Sequence, residues 1–463
     1  MSQGPRKDVP RVVIVGGGFG GLNAARKLAR APVRVTLVDR RNHHVFQPLL
    51  YQVASAALNP ADIAAPIRGV LRQQKNAEVL LADVTAVDLA HKRIILDDGM
   101  LDFDYLVIAT GATHSYFGHD EWATYAPGLK TLDDAIDIRR RVLIAYEEAE
   151  READSDCRKQ WMTFVVVGGG PTGVEMAGSL AEIAHDTLRR DFRHIDPDEA
   201  RVILVEGEPR VLPAYQEKLS ASAKRQLEKL GVEVQLAAYV TGIDATGVNI
   251  GPQRIGARTV VWAAGVAASP LARSLGVPLD RAGRVPVGPH LEIPGRDDAW
   301  VIGDLAAVQQ DGKMVPGVAP AAIQGGKYVA KVIARKVAAQ PAPPPFRYFD
   351  KGSLATIGRA SGVADFGKVR ITGFFAWVAW SLIHVMFLIG FRNRFLVMFQ
   401  WAWQYLTFQR GARLITGPIP ALQAQLACAP EDGANATRGP APAPASAAVS
   451  SSETRQPPAA PGV

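Results

Sequence analysis

At 463 residues, 48% of them hydrophobic and 21% charged, the chain has the length for two or three domains and the composition of a protein with an ordinary buried core. Its two cysteines, Cys157 and Cys428, form no Cys-x-x-Cys and exclude a disulfide framework, a zinc site or any other metal centre built on thiolates, and a redox dithiol. A net charge of +7 is a mild excess over this length and gives no reason to expect a nucleic-acid partner.

The opening "MSQGPRKDVP" is polar and lacks the apolar run of a signal peptide, so the chain is expected to stay in the compartment where it is made. Residues 11–29, "RVVIVGGGFGGLNAARKLA", read as strand, glycine turn and helix. Gly16, Gly18 and Gly21 fill the positions of G-x-G-x-x-G. The first permits the turn, the second lets the backbone approach a pyrophosphate, and the third lets the helix pack on the strand. Phosphates then sit at a helix N-terminus, where free N–H groups and the helix dipole favour anions. Asp39 ends the next strand, "VRVTLVD", in position to accept from a ribose. The runs "AEVLLADVTAVDL" and "FDYLVIATGA" complete this first set.

A second set follows in the same order: "FVVVGGGPTGVEMAGSLA" with Gly168, Gly170 and Gly173, then "RVILVE" ending in Glu206, then "VEVQLAAYVTGID" and "RTVVWAAGV". A carboxylate at Glu206 suits a free 2′-hydroxyl and repels a 2′-phosphate, which favours NADH over NADPH, with nearby Arg210 softening the preference. Strands alternating with helices predict an α/β protein with mainly parallel sheets. The run "DDAWVIGDLAAV" returns to the first fold. The expected architecture is two Rossmann-like dinucleotide-binding domains, the first split around the second. The expected boundaries are 10–120 and 291–340 for the first fold and 121–290, with a core of 160–290, for the second.

"QPAPPP" at 340–345 reads as a linker, followed by a C-terminal membrane-association or dimerisation region over 346–418. Residues 373–391, "GFFAWVAWSLIHVMFLIGF", contain no formally charged residue. The next stretch is amphipathic, with Gln400, Gln404 and Thr407 opposite Phe395, Phe399, Ala402, Trp403 and Leu406. With Arg392, Arg394, Arg410 and Arg413 flanking it, this pattern suits helices lying in the plane of an anionic membrane surface. A single span and a soluble dimer interface are the alternatives. The Ala/Pro-rich residues 428–463 are expected to be a disordered tail.

Three further stretches, "NHHVFQPLLYQVASAALNPADIAAPIR" (42–68), "PTGVEMAGSLAEI" and "FDKGSLATIGRASGVADFG", resemble the type II NADH dehydrogenases, single-subunit NADH:quinone oxidoreductases that do not pump protons. The likeness runs over roughly residues 10–415. It implies non-covalent FAD in the first fold, against Gly16, Gly17, Gly18, Phe19, Gly20, Gly21, Asp39, Arg40, Gln47, Val84, Thr110, Gly111, Gly303 and Asp304. It implies NADH in the second, against Gly168, Gly170, Pro171, Thr172, Gly173, Glu175, Glu206, Ala264 and Gly265. A membrane quinone is implied at Ala321, Ala322 and Gln324, with Glu175 and Gln324 as the catalytic pair. Pro320 stands where the family commonly carries a glutamine. A homodimer on the cytoplasmic face of the inner membrane completes the implied picture.

The residues themselves leave alternatives open. Glu175 reads either as a carboxylate that favours a helix N-terminus or as a group aimed at the nicotinamide–flavin junction. Gln324 reads as a polar residue opening a helix or as a quinone contact, with Gly325 and Gly326 letting a ring come close. The pair His43 and His44 reads as loop anchors. A ferredoxin or rubredoxin reductase, or a nucleotide sensor, would share the two glycine turns but would not explain the aromatic C-terminus.

Overall fold

The computed structural model describes residues 9–389, 391–407 and 410–417; the expected tail lies outside them, as do the side chains of Arg392 and Gln404. The first fold begins with β1 (Arg11–Val15), α1 (Phe19–Lys27), β2 (Arg34–Asp39), β3 (Ala77–Leu81) and β4 (Tyr105–Ile108). The second contains β5 (Thr163–Val167), α2 (Pro171–Glu182), β6 (Arg201–Val205), β7 (Val232–Gln235) and β8 (Thr259–Trp262). The chain then adds β9 (Ala299–Val301) and α3 (Ala319–Val337). Last come β10 (Ser353–Gly358), β11 (Ser361–Asp365), β12 (Arg370–Thr372), α4 (Phe374–Phe387) and α5 (Phe391–Thr407).

The first sheet has the order β9-β4-β1-β2-β3 and is parallel throughout, with Ile14 of β1 opposite both Leu37 and Val107. Its central strand reads as an unbroken β-branched run because both faces are covered: Val12, Val13 and Ile14 have no exposed surface. β9 enters this sheet from beyond the second fold, which splits the first fold as expected. Leu271, Leu275, Val285 and Ile293 pack into the same core as Val13 and Ile108. The second sheet, β7-β6-β5-β8, is also parallel. Short antiparallel strands, Ala112–His114 against Val266–Ala268, lie where the chain leaves and re-enters the first fold.

Helix α3 lies across α1. A Cβ on Gly326 would come within 2.2 Å of the Gly20 carbonyl oxygen, so this glycine serves the helix crossing and not the approach of a ring. Gly178 of α2 plays the same part against the antiparallel β10-β11-β12 sheet, where a Cβ would meet the Ile357 carbonyl. Helix α4 packs on that sheet through Ala376 and Trp380.

No helix among the described residues is long and apolar enough to cross a membrane, and this removes the single-span alternative for 373–391. The segment breaks after Phe387, and the 14 residues of α4 extend only about 21 Å against about 30 Å of hydrocarbon.

Candidate active site

The two glycine turns have the same geometry. Gly16 sits at φ +102°, and a Cβ there would lie 2.5 Å from the Ala109 carbonyl oxygen; Gly168 sits at φ +108° against Ala263. At both turns a positive φ and backbone contact leave glycine alone acceptable. Gly18 and Gly170 face open space instead, with nothing within 4 Å of a Cβ, and these are the places where a pyrophosphate fits. Each turn is braced by its acid. Asp39 accepts from the Gly17 and Arg41 amides at 2.5 and 2.7 Å. Glu206 accepts from Gly169 at 2.5 Å and Glu208 at 2.8 Å. Arg210 donates to the Pro213 carbonyl at 2.8 Å, and Pro171 and Thr172 are exposed at the mouth of the second turn.

Thr110, after β4, lies beside Gly16 of the first turn. Thr110 Oγ1 is buried without a partner, and Gly111 beside it has open space. An orphaned hydroxyl next to an uncovered glycine turn fits a bound dinucleotide. Gly303, at φ +72°, turns the chain so that Asp304 follows the end of β9; Ala322 packs against Gly303, and Ala321 beside it is half-buried. Lys130 is half-buried near Asp304, and desolvation lowers its pKa against the pull of that carboxylate. Gln47 donates to the Lys130 carbonyl at 3.2 Å, Val84 is half-buried at a strand start, and Arg40 is exposed.

His44 is buried, bonds the Gly17 carbonyl through Nδ1 at 3.0 Å and meets Phe19 edge-on at 5.0 Å. Burial lowers its pKa, so it serves the turn as a neutral anchor. His43 lies on a short strand against Pro66 and bonds Asn42 at 2.9 Å.

Glu175, in the second turn of α2, is buried. Its Oε1 accepts from the Thr356 amide at 3.4 Å, and the buried indole Nε1 of Trp380 lies beside it without a well-formed hydrogen bond. Burial pushes its pKa up to about 8, only partly opposed by Thr356 and Trp380. Burial therefore biases this carboxyl toward its protonated form. The carboxylate is therefore not simply balancing the helix N-terminus.

Gln324 is the sixth residue of α3, not its first. Pro320 occupies the first turn, where a missing N–H costs little, so the departure from the family's glutamine does not disturb the helix. The Gln324 amide grips the backbone of Phe349 at both ends, donating to its carbonyl and accepting from its N–H at 2.9 Å each. Ala264 and Gly265 follow β8, with Gly265 under the Phe117 ring. Glu175 and Gln324 thus each seat part of the 349–356 segment, one at Thr356 and the other at Phe349.

Several site residues were not singled out from the sequence. Glu182 of α2 forms a buried ion pair with Arg410 at 2.8 Å, and Arg410 also donates to the Ser55 carbonyl at 2.8 Å. Trp401 donates to Gln52 at 2.7 Å, and Gln52 donates to Tyr51 at 2.8 Å. Arg410, expected to face lipid, is therefore internal, and Arg413 is paired with Asp191. The spacing of Glu175 and Glu182, two helical turns apart, was the available signal.

Two dinucleotide turns, the first fold split around the second, define a two-dinucleotide-binding flavoprotein of the pyridine nucleotide-disulphide oxidoreductase kind, and that family's model matches residues 10–326. A second model, the NDH2 C-terminal domain, matches residues 351–410. The chain is 49% identical over 430 residues to the type II NADH:quinone oxidoreductase Ndh of Mycobacterium tuberculosis, covering 90% of this chain and 92% of that one. It is 30% identical to an internal alternative NAD(P)H-ubiquinone oxidoreductase of Arabidopsis thaliana, covering 85% and 83%. In fold it is similar to NDH2 of Plasmodium falciparum, solved in complex with NADH, with a TM-score of 0.79, 22% identity and coverage of 88% of this chain and all of that one. The chain belongs to the type II NADH:quinone oxidoreductase family.

Proposed function

We propose that this chain oxidises NADH on the second fold, with FAD held non-covalently in the first, and reduces a quinone that reaches it from a membrane. FAD, held by the first glycine turn with Thr110, Gly111 and Asp304, would supply the two-electron chemistry that links nicotinamide oxidation to quinone reduction. The protein's own groups bind, orient and handle protons. The open glycines Gly18 and Gly170 receive the pyrophosphates, and Glu206 reads the adenosine ribose. Glu175 holds a proton in a buried place between the nucleotide helix and the C-terminal sheet. Gln324 keeps the Phe349 strap seated over α3, so its part in quinone reduction is to shape the site.

The observation that carries this reading is Glu175, buried where the second nucleotide fold meets the C-terminal domain and pushed by that burial toward its protonated form. Quinone reduction consumes protons, and a neutral carboxyl there can supply one. In an anaerobic test, NADH bleaches the flavin and a soluble quinone restores its colour on the time scale of NADH reduction. Reoxidation by quinone far slower than flavin reduction by NADH would favour the nucleotide sensor instead.

Membrane attachment is proposed through α4 and α5. Phe375, Leu382, Met386, Phe395, Phe399, Trp403 and Leu406 are exposed, from 52% at Trp403 to 75% at Leu406. Each such side chain contributes about 1.5–3 kcal/mol on leaving water. With Arg410 buried in its pair with Glu182 and Arg413 held by Asp191 at the surface, apolar contact rather than anionic lipid dominates the attachment. The same face supports the proposal of a homodimer, and the cytoplasmic face of the inner membrane is the proposed location. Equilibrium sedimentation in detergent tests the dimer.

A further inference from the structure

The second sheet runs β7-β6-β5-β8, and its glycine turn leaves β5 between the carboxyl ends of β6 and β8. A dinucleotide laid across the ends of parallel strands has its pyrophosphate at such a turn. The acid ending the neighbouring strand, here Glu206 on β6, fixes the side taken by the adenosine half. The base lies beyond its ribose. On this sheet the element beyond β6 is β7, so the adenine falls at the loop after Gln235.

That loop is tied to the end of β6 through backbone. The Glu206 amide donates to the Gln235 carbonyl at 2.8 Å, Ala238 donates to the Glu206 carbonyl at 3.0 Å, and Ala237 to the Glu208 carbonyl at 3.0 Å. Ala237 holds a φ of +50° to do so, a left-handed conformation that an alanine adopts only at a cost. Ala238 and Val240 pack against the core of the second fold, while Tyr239 between them is 68% exposed. The exposed ring still has a fixed seat. It lies against Gly207, the residue after Glu206, where a Cβ would come within 2.7–3.2 Å of three ring carbons. Gly207 does not have a positive φ, so the missing side chain makes room for the ring and is not required by the turn.

We infer that the Tyr239 ring, seated on Gly207, is the shelf on which the adenine of NADH stacks. The inference rests on the NADH reading above and extends it from the ribose to the base. Backbone covers one side of the ring and solvent the rest, which is the form of a stacking platform for a purine. The shelf and the ribose acid belong to one rigid unit, because the loop that carries Tyr239 is bonded on both sides of Glu206 to the strand end that carries the acid. Neither group is aimed at the reacting carbon of the nicotinamide, which lies at the far end of the dinucleotide, toward the flavin fold. A contact of this kind holds ground state and transition state alike, so it governs KM and leaves kcat alone.

The test uses the full-length flavoprotein and three ligands that divide the dinucleotide. These are NADH itself, reduced nicotinamide mononucleotide, which lacks the adenosine half, and ADP-ribose, which lacks the nicotinamide. In Tyr239→Ala the KM for NADH and the calorimetric dissociation constant of ADP-ribose are both expected to rise about tenfold, within the range for base–aromatic stacking. The kcat with NADH, the rate with reduced nicotinamide mononucleotide and the thermal midpoint stay near native. Tyr239→Phe keeps native affinities, since the ring and not the hydroxyl makes the shelf. Gly207→Ala reaches the shelf from beneath: its methyl group displaces the ring, and ADP-ribose binding weakens although Tyr239 and Glu206 are both present. Native ADP-ribose affinity in Tyr239→Ala would overturn the shelf. So would an equal loss with reduced nicotinamide mononucleotide, which would make the ring a support of the whole fold. If the unsubstituted protein binds neither NADH nor ADP-ribose, the nucleotide reading itself falls and the shelf with it.

Discussion

Trp401 and Trp403, two residues apart on α5, face opposite ways. The first donates to Gln52 at 2.7 Å and lies 5.6 Å from the Trp380 ring; the second is 52% exposed. The aromatic helix therefore has an inner seam joined to the flavin fold and an outer apolar face. Substitution of the outer set, Phe399→Ser with Trp403→Ser and Leu406→Ser, is expected to release the protein from vesicles in a flotation assay. Activity with a long-chain quinone falls, and NADH oxidation with a water-soluble acceptor persists. Trp401→Phe does the reverse: it keeps vesicle binding and lowers stability by about 1–3 kcal/mol, because Gln52 loses a buried partner. Neutral and anionic vesicles bind nearly alike, since Arg410 and Arg413 are already paired.

The two kinds of glycine in the first turn separate folding from flavin binding. Gly16→Ala puts a Cβ 2.5 Å from a carbonyl oxygen at a positive φ, so the protein is expected to lose stability and emerge colourless. Gly18→Ala meets nothing within 4 Å. That variant is expected to keep its thermal midpoint as apoprotein and yet bind FAD at least tenfold more weakly in a reconstitution titration. Full flavin retention in Gly18→Ala would show that the pyrophosphate does not lie over this residue.

Glu206→Gln tests the choice of nicotinamide. The carboxylate accepts from Gly169 and Glu208 through separate oxygens, and an amide keeps only one acceptor. The KM for NADH is expected to rise about tenfold with kcat nearly unchanged, and the margin over NADPH narrows. Equal change in kcat would place the residue in the chemistry instead.

The sequence made the nucleotide folds legible because their signals are local: a β-branched strand, glycines at fixed spacing, and an acid ending the next strand. The same locality made His44 readable as an anchor. What escaped was set by contacts across long separations. Arg410 lies 228 positions from Glu182, and Trp401 lies 349 from Gln52. A helical pattern tells which residues share a face, but not which face meets protein, so the inward turn of Trp401 went unseen and Arg392, Arg394, Arg410 and Arg413 read alike. Gly326 was misread for a related reason. A glycine that lets a ring approach and one that lets a helix cross at the Gly20 carbonyl have the same letter.

The buried carboxyl of Glu175 makes a pH prediction whose sign can be worked out. Its pKa is about 8 in the folded protein and near 4.5 when exposed, so between these values the folded state binds the extra proton. Stability therefore falls as pH rises from about 4.5 to 8, and levels off above 8 once both states are ionised. Glu175→Gln removes this dependence by supplying a permanently neutral group of the same shape. Relative to the native protein, the variant is expected to gain on the order of a few kcal/mol at pH 9 and little at pH 5. Denaturant titrations of the two proteins at both pH values measure the difference. The same variant is expected to bleach its flavin with NADH at the native rate, because that half-reaction draws no proton from Glu175. Its reoxidation by quinone slows by about a hundredfold or more, since the proton donor is gone. A variant that keeps native quinone turnover, while showing the stability gain at pH 9, would establish that Glu175 is a buried acid held for the C-terminal sheet and not for the reaction.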